Sequence, residues 1–130
     1  MIGIGIDAVD VDRFRSVLAR RPSMAQRLFT ASELAALEGG KEHDCERAEL
    51  RLAARLAARF AAKEAVMKAL GVGLGAFGFH DVEVLNEPAG APVLVLSGRA
   101  QTLAIERGVA SWLLSLTHTA TVAEAVAVAL

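Results

Sequence analysis

Three charged residues stand where the surrounding pattern calls for something else, and together they could do chemistry. Lys63 and Glu64 lie inside a stretch from about 46 to 70 that contains neither glycine nor proline and is rich in Ala, Leu, Arg and Glu. On a helical wheel Leu52, Leu56, Phe60 and Met67 fall within about a quarter-turn and read as the core face. Lys63 falls inside that arc and Glu64 lies on its border. A charge among core positions costs on the order of several kcal/mol unless it is paired. Either the Lys63 stem packs and its amine snorkels out, or the face lines a cleft in which the amine meets an anion and the carboxylate a cation. Asp7, which follows Ile2-Gly-Ile-Gly-Ile6, is the second candidate acid. Alone it is a weak signal, because an acid closing a strand is often a turn residue or a helix N-cap. Two carboxylates with phosphate oxygens make a hard-oxygen environment that suits Mg²⁺.

A basic ridge supports an anionic ligand. Residues 33–46 hold five acids against one base, and residues 47–68 hold six bases against two acids. Arg47, Arg51, Arg55, Arg59 and Lys63 form an unbroken i, i+4 ladder of like charge, each step mildly destabilising. The outer members, Arg47 and Arg51, read equally as a solvated face. The inner ones approach the buried edge, where a multiply charged phosphate would relieve their repulsion. His43, His80 and His118 show no paired spacing and Cys45 stands alone, so no transition-metal set is offered. Gly3-Ile-Gly5 lacks the third glycine of a dinucleotide fingerprint, and no Walker loop or nucleophile elbow is present.

These side chains need elements to carry them. Residues 2–9 read as a strand that Asp7 ends. Helical spacing begins at Asp10 with Phe14, Val17 and Leu18, is interrupted by Pro22, and resumes at Met24 and Leu28. Thr30-Ala-Ser-Glu33 has capping-box spacing and opens a short helix through Leu37 that stops at Gly39-Gly40. The long helix follows, ~37 Å at 1.5 Å per residue, and then a loop marked by Gly71, Gly73 and Gly75. Residues 82–85 and 93–96 form a hairpin around Asn86-Glu-Pro-Ala-Gly90-Ala-Pro92. A helix spans about 98–107, and residues 112–117 and 121–130 are two final strands. The order β-α-α-α-β-β-α-β-β predicts an α+β fold, a long central helix packed on a mostly antiparallel sheet.

Bulk properties narrow the function. At 130 residues one domain, 1–130, is expected. Apolar residues make up 54% of the chain, much of it alanine, so one copy has a thin core and association is expected. A net charge of −1 argues against nucleic acid as partner. No apolar run reaches the ~18 residues of a membrane span, and the start has no signal-peptide pattern. A lone Cys45 between acids suits the cytoplasm, and the chain is expected to be free-standing.

In order along the chain, Gly5-Ile-Asp7, Arg27-Leu-Phe-Thr30-Ala-Ser-Glu33-Leu34, Arg59-Phe-Ala-Ala-Lys63-Glu64-Ala-Val-Met-Lys68-Ala-Leu-Gly71, His80-Asp81-Val-Glu83-Val and Ser115-Leu-Thr-His118-Thr119 resemble the short, trimeric holo-acyl-carrier-protein synthase group of the 4′-phosphopantetheinyl transferases. The resemblance implies that Asp7 and Glu64 hold Mg²⁺ against the pyrophosphate of coenzyme A. It implies that Arg59, Lys63, Lys68 and His118, with Thr119, surround the nucleotide phosphates, and that Gly71 and Gly73 let backbone approach the phosphopantetheine arm. It further implies a homotrimer with sites between subunits, in which a serine of an apo acyl carrier protein attacks the phosphate that bears pantetheine. Asp7, Glu64 and Lys68 are the expected catalytic residues. Glu33, Lys68 or a water at the metal could take the serine proton.

The same resemblance makes the first helix the dock for an acidic carrier-protein helix, with Arg13, Val17, Arg20 and Arg27 as contacts. Solubility alone is the competing account of those arginines. The 39–46 loop matches nothing in the family pattern. Two rival functions stand beside the transferase. A coenzyme A pyrophosphatase would need a more glutamate-rich metal helix, and a non-catalytic binding trimer would leave Asp7 or Glu64 dispensable.

Overall fold

The computed structural model of the chain describes residues 1–37 and 43–130. Strand β1 (Gly3–Asp10) leads into α1 (Val11–Arg20), α2 (Met24–Leu28), α3 (Ala31–Leu37) and the 25-residue α4 (Cys45–Ala69). A 3₁₀ turn (Phe79–Asp81) precedes β2 (Val82–Asn86) and β3 (Pro92–Leu96), and then come α5 (Gly98–Glu106), β4 (Trp112–His118) and β5 (Val122–Ala129). The fold is α+β, as expected, with two refinements. Pro22 splits the first helical segment into α1 and α2, because its ring removes a backbone donor. The strands form two antiparallel sheets rather than one: β1-β5-β4 and β2-β3. The expected stop at Gly39-Gly40 and half of the 39–46 loop, residues 39–42, lie outside the described residues.

Helix α4 is the central element, and the three-stranded sheet lies against it at very short range. Ala123, Ala125, Ala127 and Ala129 of β5 are all essentially fully buried on the face of the sheet that meets α4. On β1 the same face carries Gly3, Gly5 and Asp7, paired with Ala129, Ala127 and Ala125. A Cβ placed on Gly3 would fall 2.0 Å from the Ala69 carbonyl oxygen, and one on Gly5 would fall 1.9 Å from that of Ala65. Only glycine permits this approach, because the obstacle is helix backbone that no rotamer can move. The alternate residues Ile2, Ile4 and Ile6 point the other way and are 49%, 58% and 60% exposed.

Helix α4 is buried nearly all round over its second half, where Ala57, Ala61, Ala62, Ala65 and Val66 are fully enclosed. The wheel reading holds for Leu56 and Met67, but Leu52 is 40% exposed, and the buried side of that turn carries Ala53 and Ala54 instead. The ends of the elements follow local chemistry. Asp10 caps α1 through Arg13 N. Thr30 and Glu33 form the reciprocal capping box, at 3.1 and 3.2 Å. Gly71, at φ +70, closes α4 as Gly71 N bonds Lys68 O and Val72 N bonds Met67 O, a Schellman arrangement. Asp81 reaches across to accept Arg99 N at the start of α5.

The glycine contact yields a direct test. Gly5→Ala should destabilise the protein by roughly 1–3 kcal/mol or more, the usual range for overpacking. Gly73→Ala, at a glycine with nothing within 4 Å of the added Cβ, should stay within about 0.5 kcal/mol of wild type. Urea unfolding of the two variants side by side measures the difference.

Candidate functional site

Asp7 does not end β1. It sits within the strand opposite Ala125, and the cap of α1 is supplied by Asp10 three residues later. The structure therefore leaves the Asp7 carboxylate free of the structural duty that such a residue usually performs. It faces α4, where Lys68 Nζ donates to Asp7 Oδ1 at 3.1 Å and to Ile6 O at 2.9 Å. The Lys68 side chain is half exposed and that of Asp7 is 18% exposed, so the pair lies at the mouth of a cleft rather than in the core.

That cleft has a volume of about 720 Å³. Asp7, Asp10, Arg13 and Glu64 form its polar rim, and Phe14, Phe60 and Phe79 are among its apolar walls. Burial raises the Glu64 carboxyl above the usual carboxylate range, the negative Asp7 raises it further, and Lys68 opposes both. A carboxylate whose charge is disfavoured by burial and by a neighbouring carboxylate is what a divalent cation relieves. No cluster of three or more His, Cys, Asp or Glu positioned for a metal occurs among the described residues. The donor set is thus two hard oxygens from protein, which fits Mg²⁺, an ion that commonly takes one or two carboxylates and completes its shell with water and substrate phosphate.

Lys63 does not face this cleft, which corrects its expected place beside the phosphates. Its amine is completely enclosed and neither snorkels nor meets open space. Nζ donates to Glu33 Oε1 at 2.7 Å, to Phe79 O at 2.9 Å and to Val82 O. All three ammonium protons have acceptors, so none remains for a ligand. Burial lowers the Lys63 pKa and the charge and hydrogen bond of Glu33 oppose that shift. Glu33 is equally enclosed: Oε1 also accepts Thr30 N and Oε2 accepts Val84 N at 3.0 Å. A carboxylate so occupied cannot reach a substrate serine, which removes Glu33 from the candidate proton acceptors.

Arg59 and His118 line a second, separate cavity of about 320 Å³, with Arg55, Asn86 and Pro92. Arg59 is 6% exposed, and its guanidinium donates to Arg55 O at 3.2 Å and to Asn86 Oδ1 at 2.9 Å. Burial chiefly, and then the neighbouring Arg55 charge, lower its pKa, with Glu33 raising it. A buried cation beside a second cation is a receptor for an anion. Arg47 and Arg51 are exposed, as the solvated-face reading has it. His118 is exposed at the end of β4. Thr119 Oγ1 accepts Thr121 N and Val122 N, so this threonine shapes the turn into β5. Gly71 is accounted for by the end of α4, and Gly73 lies in open surroundings.

Arg13 and Val17 border the Asp7–Glu64 cleft, Val17 and Arg20 a smaller one beside it, and Arg27 is exposed in the last turn of α2. Two participants escaped the sequence reading, Asn86 as the partner of Arg59 and Phe79 as both cleft wall and Lys63 acceptor, and Glu33, expected as a candidate proton acceptor, is instead the Lys63 counter-ion. Only Glu33 left a signal, its capping-box spacing, and that signal accounts for its first role without announcing its second.

A family profile described as the 4′-phosphopantetheinyl transferase superfamily matches residues 3–127. The holo-[acyl-carrier-protein] synthase of Streptomyces coelicolor is 48% identical over 129 residues, covering 99% of this chain and 97% of that protein. The enzyme of the same name from Salinispora arenicola is 44% identical over 129 residues, covering 99% and 98%. A crystal structure of Helicobacter pylori holo-[acyl-carrier-protein] synthase in complex with coenzyme A superimposes with a TM-score of 0.80 at 29% identity, covering 98% of this chain and 99% of that one. With a profile spanning nearly every residue and relatives matched end to end, the chain belongs to the 4′-phosphopantetheinyl transferase superfamily.

Proposed function

We propose that this enzyme transfers 4′-phosphopantetheine from coenzyme A to a serine of an apo acyl carrier protein, giving holo carrier protein and adenosine 3′,5′-bisphosphate. The reaction is Mg²⁺-dependent and serves fatty-acid or polyketide synthesis in the cytoplasm. The observation that carries this reading is the division of the motif residues between two clefts. The carboxylates Asp7 and Glu64 line one, and the anion-receiving Arg59 and His118 line the other. The reading unites them by placing the Arg59 cleft of one subunit against the Asp7 cleft of the next in a homotrimer. The outward isoleucines of β1 and the thin alanine core of a single copy support such an assembly.

In this arrangement Arg59 and His118 bind the nucleotide phosphates, and the half-exposed Lys68 reaches the pyrophosphate from the mouth of the other cleft. Asp7 and Glu64 would hold Mg²⁺, which supplies charge neutralisation on the pyrophosphate. The serine oxygen attacks the phosphorus that bears pantetheine, and the bond to the bridging oxygen of the leaving nucleotide breaks. Lys68 and water are the candidate groups for the serine proton once Glu33 is set aside. The basic α1 face, Arg13 and Arg20 with the apolar Val17 and with Arg27 beyond Pro22, docks the acidic carrier helix next to the carboxylates. The apolar walls of Phe14 and Phe60 exclude water there.

Incubation with coenzyme A, Mg²⁺ and an apo carrier protein should raise the carrier mass by one phosphopantetheine group, read by intact-protein mass spectrometry. No gain with several apo carriers would sink the reading. Glu64→Gln should abolish transfer at ordinary Mg²⁺ with the fold intact by circular dichroism.

Mixed oligomers test the shared site. Glu64→Gln and Arg59→Ala chains, each inactive alone, should regain activity when co-assembled, because one type of boundary then carries both intact clefts. No recovery would put both half-sites within one subunit. The reversal Arg13→Glu with Arg20→Glu should raise the carrier KM by about tenfold or more and leave coenzyme A binding alone. An unchanged carrier KM would remove α1 from docking.

A further inference from the structure

The buried Lys63–Glu33 pair has no part in holding phosphate, yet it joins four segments, two of which, α4 and the 3₁₀ turn, line the carboxylate cleft. Lys63 comes from α4, Glu33 from α3, and the other two acceptors of Nζ are carbonyls of the 3₁₀ turn and of β2. Glu33 extends the network to Thr30 N and Val84 N. Thr30 Oγ1 then donates to Glu83 Oε2 at 2.7 Å. His80 Nε2, in the same turn, bonds Gln26 O of α2 at 2.6 Å. Three of the segments so tied line the cleft directly, with Phe79 from the turn, Met24 and Leu28 from α2, and Phe60 and Glu64 from α4, while α3 and β2 stand behind them.

Helical geometry gives the pair its leverage. Successive residues project about 100° apart, so the rotation of α4 that aims Lys63 at Glu33 and the Phe79 carbonyl also aims Glu64 at Asp7. An apolar side chain at position 63 would fill the space but would specify no rotation. Buried ion pairs are often neutral to stability beside hydrophobic residues of similar volume, whereas loss of one partner alone is costly because the other charge is stranded. Stability alone therefore does not explain a pair in which every donor and both oxygens are used.

We infer that Lys63 and Glu33 are positioning residues: their ion pair sets the rotation of α4 and the placement of the Phe79 wall, and so fixes the Glu64 carboxylate relative to Asp7. The inference rests on the transferase reading, and it concerns this chain's own geometry rather than a contact with substrate.

The test is the double variant Lys63→Met with Glu33→Met, which removes both charges and keeps an apolar filling. Its unfolding midpoint is measured beside its steady-state kinetics. Expected are a folded protein with a melting temperature near wild type, kcat reduced at least tenfold, a higher half-saturating Mg²⁺ concentration, and KM for coenzyme A within twofold. A double variant with wild-type kcat and Mg²⁺ dependence overturns the inference, since the pair would then be filling alone. Where the double variant does not fold, Thr30→Val, which removes the hydroxyl that accepts Glu33 N and donates to Glu83 but leaves the Lys63–Glu33 pair itself intact, should lower kcat severalfold with KM for coenzyme A held. An unchanged kcat there overturns it equally. Wild-type protein run in parallel separates the two ideas: if wild type transfers nothing, the transferase reading fails, whatever the variants do.

Discussion

The contact of β1 with α4 governs most of what this molecule can do. Strand and helix meet with no side chain between them at Gly3 and Gly5, because the helix carbonyls of Ala69 and Ala65 occupy the space a Cβ would need. Once the strand lies that close, the next inward residue, Asp7, is delivered to the helix surface within reach of Lys68 and within electrostatic range of Glu64. The alanines of β5 continue the same narrow layer. A larger residue at any of these positions would lift the sheet and part the two carboxylates. The low aromatic content and high alanine content of the chain thus follow from the geometry its site requires.

The charges of α4 divide into kinds that sequence spacing treats as one. Arg47 and Arg51 are solvated, Arg59 is buried against Asn86 and its own helix backbone, Lys63 is neutralised internally, and Lys68 is shared between a backbone carbonyl and Asp7. The i, i+4 ladder is therefore not a ridge facing one ligand. It follows a helix whose surroundings change from water to protein along its length, and each cation meets a different solution to its desolvation. Burial and then the repulsion of Arg55 lower the Arg59 pKa against the opposing charge of Glu33.

Elements announced by local chemistry were legible in the sequence: the capping box at Thr30–Glu33, the glycine that ends α4, the hairpin around Asn86 and Gly90, and the uninterrupted span of the long helix. The location of the carboxylates was legible too, since an acid at the border of a core stripe is conspicuous. The partner of Lys63 was not, because Glu33 is thirty residues away and its cap already explained it. Nor could spacing tell which face of a Gly-Ile alternation turns inward. The pattern suggests buried isoleucines, but the short helix–sheet distance puts the glycines inside. Leu52 misled too: its wheel position is apolar, but the buried side of that turn belongs to Ala53 and Ala54.

The register of the sheet carries one more consequence, concerning the order of events in synthesis. The neighbour of the first strand is the last one, with Gly3 opposite Ala129 and Asp7 opposite Ala125, and β4 pairs only on the far side of β5. When α4 leaves the ribosome, β1 has no strand to pair with. At roughly 5–20 residues per second, several seconds pass before β5 follows. Throughout that interval the hydrogen-bonding edge of β1 and the inner face of α4 lack β5, so the central sheet closes only when that strand arrives. A nascent chain of this topology depends on closure by β5 more than on gradual growth of a core.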